Sequence, residues 1–183
     1  MFDEQDINNY KTYKFMEIGK LYSITLRNSN ENYKGIIQNI GKEWILLYRL
    51  FTDYMMDGYV LLKKEYIHEF IRDDAICFTE EVLKAKGIAF IQPNNDIPLN
   101  DTYTLFEWLS NKRIVFMFSL KEDNIGYVGM ISKILSKSFY LQVFDVDGHW
   151  WDKKLIYRIG TVRRIDFNTD YIESLLAYNK VKY

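Results

Sequence analysis

Apolar and polar positions alternate with period two over most of the chain, and turn residues separate the alternating runs. Gly19 to Arg27 sets Tyr22, Ile24 and Leu26 against Ser23 and Thr25, the pattern of a strand with one buried face. The polar run 28–32 turns the chain into a second strand, Tyr33 to Gly41, and Gly41-Lys42 turns it again into a third, Glu43 to Phe51. Asp57-Gly58 precedes a fourth strand, and Tyr66 to Ile71 makes a short fifth. The same order returns as Lys112–Leu120, Tyr127–Leu135, Ser138–Val146, a strand after Asp147-Gly148, and Gly160–Asp166. Gly35 and Gly129 interrupt the second strand of each set, where glycine marks a sharp bend.

Helical spacing flanks the strands. Thr79 is placed to cap Glu80 to Lys86, which ends at Gly87, and Thr169 to cap Asp170 to Tyr178, with Ile172, Leu175 and Leu176 on one face. Asp101 or Thr102 starts a helix carrying Leu105, Trp108 and Leu109, and Asp6 to Ile18 forms its N-terminal counterpart. Both prolines fall in Gln92–Pro98, the natural linker.

The repetition is visible in particular residues. Tyr33-Lys34-Gly35-Ile36-Ile37 returns 94 positions on as Tyr127-Val128-Gly129-Met130-Ile131. The run from Asp57 to Phe70 resembles that from Asp147 to Gly160, and Phe78-Thr79-Glu80 resembles Phe167–Asp170, each about 90 positions on. These landmarks define two modules, residues 1–90 and 91–183, joined by a linker over about 87–100. The expected fold is mainly β with flanking helices: two tandem five-stranded bent antiparallel small barrels, each with one or two short helices.

Composition narrows the function. Lys plus Arg is 24 against 25 Asp plus Glu, with 12 basic to 15 acidic residues in 1–100 and 12 to 10 beyond. A polyanion partner ordinarily demands a basic excess, so nucleic acid is not favoured. Cys77, the single cysteine, reads as a small buried hydrophobe, and neither a disulfide framework nor a cysteine metal cluster is expected. The acidic start Met1–Asp6 lacks the features of a signal peptide, and no apolar run reaches the roughly 20 residues that cross a bilayer. A cytoplasmic protein without membrane contact is expected.

A short leading helix followed by five bent strands, with glycine in the second, resembles the Sm-like branch of the small barrels; Src-homology-3-like barrels are the close competitor. The resemblance implies RNA binding and ring assembly, through an Asp/Asn pair after strand two and an Arg-Gly or Lys-His element near strand five. Here the loop after strand two reads Gln38–Glu43 and offers Asn39, with no counterpart in Lys133–Lys137. The strand-five regions, Lys64–Glu69 and Arg158–Arg163, do not reproduce the second element.

The aromatic content, 17% with 15 Tyr and 12 Phe, points to contact surfaces instead. Trp150 and Trp151 are adjacent on a strand and so face opposite ways; one enters the core and the other meets a helix, a module or a partner. His149 and Asp145, Asp147 and Asp152 surround them. Lys153-Lys154 and Arg163-Arg164 offer a basic strip that alternation splits in half, and Trp44 opens the third strand as a core plug or a stacking surface. The candidate binding residues are His149, Trp150, Trp151, Lys153, Asn39 and Trp44. His68 and His149 lack ligand spacing, and no nucleophile elbow or phosphate loop occurs, so neither a metal, a cofactor nor catalysis is expected. The expected role is a non-enzymatic module that binds another protein. Single-stranded nucleic-acid binding and action as an immunity or inhibitor protein are the alternatives.

Overall fold

The computed structural model describes residues 16–27, 29, 31–91, 96–121 and 126–182. The proposed helix from Asp6 lies, up to residue 15, outside the described residues, as do residues 92–95 of the linker. Among the described residues ten antiparallel strands are present: β1 (Leu21–Leu26), β2 (Asn32–Ile40), β3 (Trp44–Thr52), β4 (Met55–Lys63), β5 (Ile67–Ile71), β6 (Val115–Leu120), β7 (Tyr127–Ile134), β8 (Ser138–Phe144), β9 (Trp150–Arg158) and β10 (Val162–Phe167). Three helices accompany them among the described residues: α1 (Asp74–Ala85), α2 (Thr102–Asn111) and α3 (Asp170–Lys182). A single 3-10 turn leads into β5 and another into β10.

The strands form one open sheet in the order β5-β1-β2-β3-β4-β10-β6-β7-β8-β9. The fold is therefore mainly β, but the ten strands are not split into two separate sheets. β4 and β10 pair antiparallel, Tyr59 with Phe167 through Leu62 with Arg164, and fuse the two sets edge to edge. Alternation along each strand said which faces are apolar. It could not say which edges meet, because backbone donors and acceptors at an edge accept any partner strand.

Within the sheet the repeat is regular. Leu21–Ile36 and Ile37–Leu47 pairs recur 94 residues on as Val115–Met130 and Ile131–Leu141. Leu46–Leu61 recurs as Tyr140–Ile156, and Ile24–Phe70 as Phe118–Ile165, so β4 and β5 recur 95 on as β9 and β10. The bulge at Ile37/Asn39 recurs at Ile131/Lys133. Gly35 and Gly129 are equivalent for a steric reason: an added Cβ would run into the Tyr48 carbonyl oxygen at one and the Gln142 carbonyl oxygen at the other. The other two landmarks are not equivalent. Gly58 lies inside β4 while Gly148 lies in the turn before β9, and Phe78 is helical while Phe167 ends a strand.

Helix starts shift accordingly. α1 begins earlier than Thr79, because Asp73 accepts the Ile76 N–H at 2.9 Å and caps it; Thr79 sits mid-helix with its hydroxyl on the Ala75 carbonyl. Asp101 caps α2 through the Thr104 N–H at 2.8 Å, and Thr169 takes the corresponding place on α3. Cys77 is half-buried on α1, where the Arg72 guanidinium approaches its sulfur at 3.1 Å.

The cores show how the sheet bends. β1–β5 enclose Ile24, Ile37, Leu47, Val60 and Leu62, and α1 covers the reverse side over Leu21, Ile36 and Leu50. A larger core joins the two sets. Trp44, Leu46 and Leu61 from the reverse side of β3 and β4 meet α2 and the inner residues Phe118, Phe139, Leu141 and Ile165. Each sheet face thus changes role across the β4–β10 junction: Val60, inside the first half, pairs with Asp166, while Leu61, outside it, pairs with the inner Ile165. The linker is fixed to the start of β3, since the Leu99 carbonyl accepts from Glu43 N and Trp44 N at 3.1 and 3.0 Å.

Candidate functional site

β9 ends the sheet, and among the described residues β8 is its one partner strand. The preceding turn is built by Asp145. Its carboxylate accepts the N–H groups of His149 (2.8 Å) and Asp147 (3.0 Å) and the Trp151 indole N–H (3.2 Å). The His149 amide is the chief cause that holds the Asp145 carboxyl below its usual range. α3 closes over the turn through Asn179, whose amide donates to the Gly148 carbonyl at 2.9 Å.

The two adjacent tryptophans part company. Trp150 is half-buried with its ring 4.5 Å from that of Phe144, and Trp151 is 45% exposed. The register jumps from Phe144–Trp150 to Gln142–Lys154, which leaves Trp151–Lys153 opposite Val143 alone. This bulge displays Trp151 and Lys153, and the Gln142 amide steadies it by donating to the Trp151 carbonyl. Beyond it strict alternation resumes. Tyr157 turns inward among Phe118, Tyr127 and Phe139. Lys154, Ile156 and Arg158 form the opposite row, beside Gln142, Tyr140 and Ser138 on β8.

That outer row is amphipathic. Ile156 is 56% exposed with the half-buried Tyr140 next to it. Lys154 and Arg158 flank Ile156 on β9, Lys133 stands across Tyr140 on β7, and Lys137 lies in the turn beside Ser138. All four cations are exposed, and among the described residues none of them forms an ion pair.

The remaining candidate residues lie elsewhere. Trp44 is fully buried in the joining core, its indole donating to Thr102 Oγ1 at 2.9 Å. Asn39 is half-buried at the β2 bulge, where its side-chain Oδ1 accepts from Ile40 N. The structure therefore brings together His149, Trp150, Trp151 and Lys153 and separates them from Asn39 and Trp44. Arg163 and Arg164 do not extend a basic strip with Lys153 and Lys154. Arg163 is buried beside Ser119. Arg164 is bound to Asp166 (2.7 Å), Glu31 (2.7 Å) and the Tyr33 hydroxyl (2.8 Å).

Asp166 is buried at the junction, 3.6 Å from Arg49 as well. Burial pushes its carboxyl upward against the attraction of Arg164 and Arg49. Beside the junction a cleft of about 330 Å³ is lined by Leu46, Tyr59, Ile97, Trp108 and Phe167, with Lys112 and Asp96 3.9 Å apart on its wall. Among the described residues no group of three or more His, Cys, Asp or Glu side chains is arranged to hold a metal ion. No helix of the described residues is long and apolar enough to cross a membrane.

Sequence reasoning passed over Ile156, Tyr140, Lys133, Lys137 and Arg158. For Ile156 and Arg158 the signal was present in the alternation of Lys154-Leu155-Ile156-Tyr157-Arg158, but only the knowledge that β9 is terminal gives the outer row its meaning. No family model, curated protein or solved structure matches the chain.

Proposed function

We propose that the protein is a non-enzymatic binding module made of two repeated small-barrel halves of Sm-like or Src-homology-3-like type, spanning residues 1–90 and 91–183, and that its ligand is another protein. The observation that carries this reading is the terminal position of β9, whose backbone has a partner strand on one side and whose exposed side chains include Trp151 and Ile156. An extended segment can add to such an edge, drawing affinity from main-chain hydrogen bonds and specificity from alternate side chains. The repeat of strand order on either side of the β4–β10 junction supports the two-part construction.

The test is capture from the native host with the wild-type chain, Trp151→Ala and Ile156→Asp, each with and without nuclease. Expected is a protein retained by the wild type regardless of nuclease and depleted by both substitutions. Capture that vanishes on nuclease treatment, or that both variants leave unchanged, contradicts the reading.

A further inference from the structure

The joining of the two halves shows what a fourth strand of this repeat does with its outer edge. β4 receives β10 antiparallel, and Leu61 on its outer row meets Ile165 inside the joining core. Ile156 is the β9 residue equivalent to Leu61, because Leu46–Leu61 recurs as Tyr140–Ile156. The neighbours have changed character. Trp44, Leu46 and Tyr48 on β3 become Ser138, Tyr140 and Gln142 on β8, and on the fourth strand Tyr59 becomes Lys154 while Arg158 keeps the cation of Lys63. An apolar centre is thus kept while the cations flanking it increase from Lys63 alone to Lys154 and Arg158, with Lys133 on the same side across Tyr140.

We infer that β9 takes an extended acidic segment of a partner protein, paired antiparallel, with an apolar residue opposite Ile156 and carboxylates two positions to either side of it. This rests on β9 being the partner-binding edge. Period-two geometry puts all three residues of such a segment on the outer face, where the flanking acids meet Lys154 and Arg158 and the apolar residue covers Ile156 and Tyr140. Opposite charges directly across a strand pair attract, and like charges there repel. A second copy of the chain fits less well. Its β5, placed in the junction register, would set Phe70 opposite Ile156 but Arg72 opposite Lys154, cation against cation.

Three labelled strand-forming peptides test this by fluorescence anisotropy on the full chain. One carries Glu two residues before and after a central Val, one carries Gln at both places and one carries Lys. Oligo(U) RNA and oligo(dT) DNA complete the set, and amide exchange locates the bound peptide. Expected is preferential binding of the Glu peptide, with new protection in β9 and an affinity that falls as salt rises. The double variant Lys154→Glu, Arg158→Glu changes only exposed side chains and is expected to weaken the Glu peptide by about tenfold or more. The same change is expected to improve the Lys peptide, a readout that loss of folding would not give.

Equal binding of the Glu and Gln peptides at β9 overturns the acidic preference and leaves strand addition standing. Failure of every peptide to protect β9 overturns both. Tighter binding of either oligonucleotide, lost in the same double variant, transfers the site to a phosphate backbone and overturns the inference. Concentration-dependent self-association that the double variant abolishes does so in favour of a second copy.

Discussion

β4 and β9 occupy equivalent places in the repeat and have opposite fates. In β4 the run Val60-Leu61-Leu62-Lys63 is buried throughout, since one face lines the first-half core and the other the joining core. In β9 the corresponding Leu155-Ile156-Tyr157-Arg158 alternates between half-buried and exposed. A strand covered on both faces reads as a continuous apolar run, and a strand with one covered face reads as an alternation. The difference between these strands therefore records their neighbours, not their own backbone geometry. Position in the sheet decides whether a fourth strand holds the molecule together or presents a surface.

The junction that β9 lacks offers the largest effect. Arg164→Ala leaves the buried Asp166 carboxylate with Arg49 as its nearby cation, at an expected cost of about 3–5 kcal/mol in urea unfolding at neutral pH. The pH dependence has a definite sign. Burial already raises the Asp166 carboxyl above its unfolded range, so ionised Asp166 weighs against the fold as pH rises through that interval. Loss of Arg164 raises it further, and the deficit of the variant is expected to shrink on acidification toward the ordinary carboxylate range. A deficit that grows with acid would show that Arg164 acts by other means.

Truncation of the equivalent residues sharpens the contrast. Leu61→Ala empties space in the joining core and is expected to cost about 2–4 kcal/mol, while Ile156→Ala is expected to stay within about 0.5 kcal/mol. Similar losses at both positions would mean that Ile156 is covered in solution.

The helices that follow the fifth strands give a smaller version of the same asymmetry. Four residues beyond the buried Ile76 stands Glu80, whose carboxylate accepts the Leu21 N–H at 3.0 Å and pairs with Arg72 and Lys84. Four residues beyond the buried Ile172 stands Leu176, which cannot do this. Burial opposes ionisation of Glu80, but the Lys84 hydrogen bond, the Leu21 amide and the charges of Arg72 and Lys84 together hold its carboxyl below the usual value. Its contribution is present above the unfolded carboxylate range and is lost as pH falls through the folded value. Glu80→Gln is expected to cost about 1–2 kcal/mol at pH 7 and nothing below the folded value; an equal loss at both extremes would contradict the pairing.

How much of this was legible in the sequence depended on whether a neighbour mattered. Period two placed the strands close to their true bounds, and Gly35 and Gly129 exposed the repeat because a backbone carbonyl excludes any side chain there. The Asp57-Gly58 and Asp147-Gly148 pairs misled because Asp-Gly favours turns generally and carries no register. Thr79 misled because any Thr before an acidic residue resembles a cap, while Asp73 stands three residues ahead of the Ile76 N–H it satisfies. At the candidate site, alternation correctly separated Trp150 from Trp151. It could not show Arg163 and Arg164 drawn inward, because their partners Ser119, Glu31, Tyr33 and Asp166 come from distant parts of the chain.

Amide hydrogen exchange resolved by residue tests the opposition of the two fourth strands most directly. Expected is slow exchange through Tyr59–Leu62, near the limit set by global unfolding, and fast exchange at the β9 amides that point away from β8. Protection of those β9 amides as strong as in β4, in the isolated chain, would contradict an available edge.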